Sequence, residues 1–191
     1  MIKHDTISRM LTVLACLITI YLTTFQTANV VLFYPVVLLV LGLVLQRFIL
    51  RKIEETDSIV QNRWHIMYYT SLALIGLALT NLYVRTYLKQ SIQFTGMNAL
   101  LFSVLMAISE TLFFQGFLTN FFVQKLSPVV GLFVSSLIFT VFHFAVYGLD
   151  VDSLAYIFVG GFILNWVAYK SGRLSPPMLA HIMNNVVAVM T

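Results

Sequence analysis

Apolar runs about as long as a membrane-crossing helix alternate with short polar breaks along the whole chain. From Val30 to Leu45 the run VVLFYPVVLLVLGLVL carries no charge, whereas a helix lying on a surface needs a polar face. About twenty such residues let a helix cross the hydrocarbon layer. Runs of this kind occupy 9–26, 30–50, 66–84, 97–123, 129–148, 151–169 and 176–190. They predict an all-α fold, a polytopic transmembrane helical bundle of about seven spans. The longest polar stretch, Arg51 to Trp64, is expected as a loop or interfacial helix. It belongs to a first part, 1–96, of N-terminal transmembrane helices and cytoplasmic loop; 97–191 forms a second, the candidate core. Pro35 and the pair Pro176-Pro177 punctuate the helices, the pair as a helix start. Gly160-Gly161 permits close backbone approach, for helix packing or for a passing substrate.

Composition removes the soluble alternative: of 191 residues, 60% are hydrophobic and 9% charged, too few polar groups for an ordinary water-facing surface. The net charge of +4 does not point to nucleic acid, because the basic residues sit between the apolar runs rather than on one face. They read as topology signals, and the lipid bilayer is the expected surrounding. With a cytoplasmic amino terminus, Lys3, Arg9, Arg47, Arg51, Lys52, Arg63, Lys125, Lys170 and Arg173 face the cytoplasm, leaving Arg85 and Lys89 outside. That bias predicts a multi-pass protein, of the cell membrane, with its amino terminus inside. The first ten residues look like the start of a signal sequence, but no small-residue cleavage site stands out before the next run, so the first helix is expected to be retained. Cys16 is the sole cysteine, which excludes an internal disulfide and a cysteine-based metal cluster.

Against this apolar background three ionisable residues stand out. A carboxylate at mid-membrane costs about 2.5–3.5 kcal/mol on insertion scales and persists where it has a cavity or a partner. Glu110 lies thirteen residues into the 97–123 run, His143 lies in VSSLIFTVFHFAVYG and His181 in PPMLAHIMNNVVAVM. Each alone reads as a structural, hydrogen-bonded core residue. Together on separate spans they read as a site, since carboxylate and imidazole can polarise a water molecule. Asn185 follows His181 by four residues and shares its helix face, so the two could donate to an oxyanion developing on a peptide carbonyl. Asn184 points about 100° away and is expected to bond a neighbouring helix. Phe139, one turn before His143, could wall the site or simply pack. There is no HExxH, no GxGD with a second membrane aspartate and no GxSG serine motif.

In order and context these residues resemble the CAAX-protease and bacteriocin-processing family, also called the Abi family. Its EExxxR motif is matched by ETLFFQG from Glu110, its FxxxH by Phe139 to His143, and its HxxxN by His181 to Asn185. The resemblance covers roughly 97–190. It implies that Glu110 and His143 activate water, that His181 and Asn185 line the oxyanion site, and that the substrate is a membrane-associated peptide or protein. The family's second Glu and its Arg are replaced here by Thr111 and Gln115. Those two contact substrate or anchor the helix in this reading, and as neutral residues one turn apart they are expected to bond each other or the backbone.

The sequence therefore predicts an intramembrane endopeptidase for CAAX-type or leader-peptide processing. The alternative is a catalytically silent scaffold or chaperone of the same fold; a small transporter or proton relay is less favoured, since no broken helix pair is evident. No cofactor is favoured. Glu110, His143 and His181 do match a His2Glu zinc set, but one glutamate cannot easily be both ligand and base. His181, only five residues past Pro176, requires either that the preceding loop dip into a cavity or that the last helix tilt strongly.

Overall fold

The computed structural model describes residues 33–49, 62–83 and 97–190. All but Phe33 and Tyr34 fall in one unit, Pro35–Thr191. Every regular element among them is helical: α1 (Phe33–Ile49), α2 (Asn62–Tyr83), α3 (Met97–Glu110), a π-helical segment (Thr111–Thr119), α4 (Asn120–Lys125), α5 (Pro128–Phe142), α6 (Phe144–Tyr147), α7 (Val151–Ser171) and α8 (Ser175–Met190).

Local chemistry sets the helix ends. Ser127 caps α5, its hydroxyl accepting from Val130 N, with Pro128 next in line where a missing N–H costs nothing. Asp150 caps α7 by accepting from the amide and the hydroxyl of Ser153. At its other end Gly172, with φ of 66°, closes α7 by donating to the Ala168 carbonyl, a left-handed position that suits glycine. Pro176 and Pro177 fall in the first turn of α8, the expected helix start, and Pro35 is tolerated in the first turn of α1.

Among the described residues three helices are long and apolar enough to cross a membrane: Arg63–Leu82, Leu100–Lys125 and Val151–Ser171. The apolar helices Pro35–Leu45 and Pro128–Phe142 are shorter, and the predicted run 9–26 lies outside the described residues. Of the expected spans, about seven, three stand as full-length helices among the described residues. The run 129–148 is not one helix, because the chain breaks at His143 and turns at Gly148, whose φ is 60°. The polar stretch ends earlier than expected, since α2 already starts at Asn62.

Packing is inverted relative to a water-soluble protein. Trp64, Leu79, Leu82, Leu101 and Val129 are exposed, while Ser109, Thr111, Gln115, Thr119, Ser135, Ser136 and Asn165 are buried. A lipid solvent explains both halves, since it welcomes apolar side chains and leaves every polar group to be satisfied within the bundle. Helix α2 packs on α7 and α8, α5 on α7, and α3 on α8. Ala73, Leu77, Leu164, Val167 and Ala180 form the apolar seam of α2, α7 and α8. Gly131 brings α5 so close to α4 that a Cβ there would lie 2.6 Å from Val123 N.

Candidate active site

Glu110 ends α3 where the winding widens into the π-helical segment. Such widened turns accommodate an extra residue and recur at functional sites. The carboxylate is buried, at 4% exposure, and faces two imidazoles: Oε1 is 4.0 Å from His143 Nε2 and Oε2 is 3.6 Å from His181 Nε2. These three sequence-predicted residues, from α3, the α5 terminus and α8, are thus brought together.

His143 sits at the C-terminal end of α5 rather than inside a helix, and its Nδ1 donates to the Phe139 carbonyl at 2.8 Å. A histidine at this position can satisfy a carbonyl the helix leaves open. The Phe139 ring lies 4.5 Å from the His143 ring and 6.3 Å from that of His181, centroid to centroid, and so walls the site as well as packing. Room for it depends on Gly161 of α7, where a Cβ would stand 2.7 Å from Phe139 Cδ1. Tyr147 stacks with His143 at 6.3 Å, centroid to centroid.

Thr111 and Gln115 do not bond each other. Thr111 Oγ1 lies 3.2 Å from His181 Nδ1, and Gln115 Nε2 donates to Asn165 Oδ1 at 2.9 Å. Each finds a partner on a different helix, α8 or α7, so the expected pairing along their own helix is replaced by two contacts across helices. Asn185 is not among the groups touching Glu110: its amide nitrogen donates to the Ser103 carbonyl of α3 at 3.4 Å. Asn184 accepts from Asn81 of α2 at 2.6 Å, the neighbouring-helix bond expected of it, and Asn81 in turn accepts from Tyr156 of α7.

Sequence reasoning missed Asn165. This buried residue accepts from Gln115 and Thr119 and donates to Ser136 Oγ, all at 2.9 Å, tying the π-helical segment to α5 and α7. The rule that singled out Glu110, a polar side chain in an apolar run, applies equally to the asparagine in FILNW.

Among the described residues no three His, Cys, Asp or Glu side chains are grouped as a metal ion requires.

A helical membrane protein with a carboxylate and two imidazoles converging inside its bundle belongs to the class of membrane-embedded proteins that carry a polar site within the apolar layer. Residues 92–187 match the profile of the family described as type II CAAX prenyl endopeptidase Rce1-like. The match covers half of the chain, and the chain belongs to this family of proteases. The resemblance drawn from the three motifs is thereby borne out. No curated protein and no solved structure matches the chain.

Proposed function

We propose that the chain is an intramembrane endopeptidase that cuts a membrane-associated peptide or protein with water activated by Glu110 and His143. The observation that carries this reading is the buried carboxylate set between two imidazoles, at 4.0 and 3.6 Å, in a chain of a protease family. Glu110 takes a proton from water while the Nε2 lone pair of His143 accepts the water's other hydrogen and aims its oxygen. That oxygen bonds to the peptide carbonyl carbon, and the carbonyl oxygen becomes an oxyanion facing His181. The C–N bond then breaks, and the leaving amine receives the proton held by Glu110. Asn185 joins the oxyanion site by exchanging its long bond to Ser103 for one to the substrate. The mechanism is metal-free: activity should survive mild chelation with zinc well below one per chain, and activity that follows stoichiometric zinc would overturn this.

Membership of this family supports CAAX-type substrates, with leader peptides as the second class. Incubating purified protein with a prenylated CAAX peptide, its unprenylated twin and a library of membrane peptides, with products read by mass spectrometry, tests this directly. Products from wild type and none from Glu110→Gln support it. No product from any substrate leaves the silent scaffold, which the family membership does not favour.

The orientation proposed is amino terminus inside. Its support is that Arg63 lies in the first turn of α2, that His65 of α2 donates to the Ser171 carbonyl at 3.3 Å, and that Lys170 and Arg173 flank the same turn. Asp150 and Asp152 lie at the other end of α7, about 30 Å away at 1.5 Å per residue. The basic end is the cytoplasmic one.

A further inference from the structure

Hydrogen-bond partners dictate where each imidazole of the site carries its hydrogen. For His143 there is no choice: its Nδ1 is 2.8 Å from the backbone carbonyl of Phe139, and a carbonyl only accepts, so Nδ1 bears the hydrogen. The neutral ring then presents Nε2 to Glu110 as a lone pair. His181 is framed differently. Its Nε2 faces Glu110 Oε2 at 3.6 Å, and its Nδ1 faces the hydroxyl of Thr111 at 3.2 Å. A carboxylate only accepts, whereas a hydroxyl can give or take. Hydrogen on Nε2 makes both contacts attractive, with Nε2–H directed at the carboxylate and the Thr111 O–H donating to Nδ1. Hydrogen on Nδ1 would instead set a lone pair against the carboxylate.

We infer that Thr111 is a positioning residue: Glu110 sets His181 as Nε2–H, the opposite tautomer to His143, and the Thr111 hydroxyl, donating to Nδ1, fixes the aim of the ring. One imidazole then offers the site an acceptor and the other a donor. The consequence for catalysis rests on the peptidase reading above: the acceptor, His143, orients the attacking water, and the donor, His181, meets the oxyanion. The tautomers themselves do not depend on that reading. The position matters because a carboxylate side chain there, as in the EExxxR pattern, could only accept, whereas a threonine supplies a donor to Nδ1.

The test uses the full chain in lipid with ¹⁵N-labelled histidine, whose two ring nitrogens differ in chemical shift and in proton coupling according to which one bears hydrogen. His181 is assigned from the signals lost in His181→Gln. The expected result is Nε2–H for His181 and Nδ1–H for His143 in the wild type. Thr111→Val keeps the shape and removes the hydroxyl; Glu110 still holds His181 as Nε2–H, but the ring loses the bond that aims it, so its Nδ1 signal should shift and kcat fall about tenfold, the worth of one lost hydrogen bond, with KM little changed. Thr111→Ser should restore both the Nδ1 signal and kcat. Nδ1–H at His181 in the wild type overturns the proposal, and this needs no variant to fold. An Nδ1 signal unaltered in Thr111→Val overturns it too. A wild type that shows the expected tautomers, and whose Nδ1 signal shifts in Thr111→Val, but cleaves nothing supports the role of Thr111 while refuting the peptidase reading.

Discussion

Glu110→Gln preserves the size and shape of a buried side chain and removes its capacity to take a proton. We expect cleavage to vanish while thermal unfolding in detergent stays close to wild type; activity within a few-fold of wild type would sink the assignment of the base. The glutamate and its two histidines could be found in the sequence because lipid makes such residues costly to keep. What the letters could not convey is how each is held. Phe139 was visible as an aromatic one turn from His143 that opens FxxxH and could wall the site; that its carbonyl accepts from that imidazole and that its ring lies against Gly161 was not. Gly161→Ala would place a methyl 2.7 Å from the ring, and overpacking of this kind costs about 1–3 kcal/mol. A lowered melting temperature and a slowed cleavage should therefore appear together, since moving Phe139 moves His143. A normal rate in a destabilised protein would show that the wall and the imidazole are independent.

The π-helical segment Thr111–Thr119 has no marker in TLFFQGFLT: the segment lacks proline, and its single glycine is no signal of a widened turn. Hydropathy registers only one continuous apolar helix there. The break at His143 was equally hidden, because the residues around it are as apolar as a helix interior. These features arise from contacts between helices, which a reading of single runs does not contain. Their energetic signature can be measured. Gln115 and Asn165 share a buried hydrogen bond, so a double-mutant cycle with Gln115→Ala and Asn165→Ala on stability in detergent should give a coupling of about 0.5–3 kcal/mol. The pair Thr111→Val and Gln115→Ala should be additive to within about 0.5 kcal/mol, because their partners lie on different helices. The reverse ranking would mean that the two neutral residues act as a unit after all.

Over the molecule, apolar composition and the spacing of the polar breaks sufficed to predict an all-helical membrane protein. They do not by themselves give the number of crossings, because an apolar run is a necessary condition for a crossing and not a sufficient one. Where α7 carries Asp150 and Asp152 at its start and Lys170 at its end, the charge asymmetry sets a direction. In intact cells, with Cys16 replaced, a cysteine introduced by Asp152→Cys should react with an impermeant maleimide. One introduced by Asp57→Cys, in the predicted polar stretch outside the described residues, should react only after lysis. The opposite pattern would invert the orientation and the side from which the site is reached.

Helix α8 bears two adjacent asparagines that reach in different directions, Asn184 to Asn81 of α2 and Asn185 to Ser103 of α3. Successive side chains on a helix diverge by about 100°, so the two bonds act as torsional stops, each resisting rotation of α8 about its long axis. The lever is short and the tolerance small: a group about 5 Å from the axis moves nearly an ångström for a turn of roughly 10°, and a misplacement of about 1 Å at reacting atoms can cost on the order of 10²-fold in rate. One turn before these stops stands His181. The azimuth of its imidazole, and with it the aim of its hydrogen, is therefore governed by two amides one turn further along the helix, that of Asn184 throughout and that of Asn185 until it turns to the substrate.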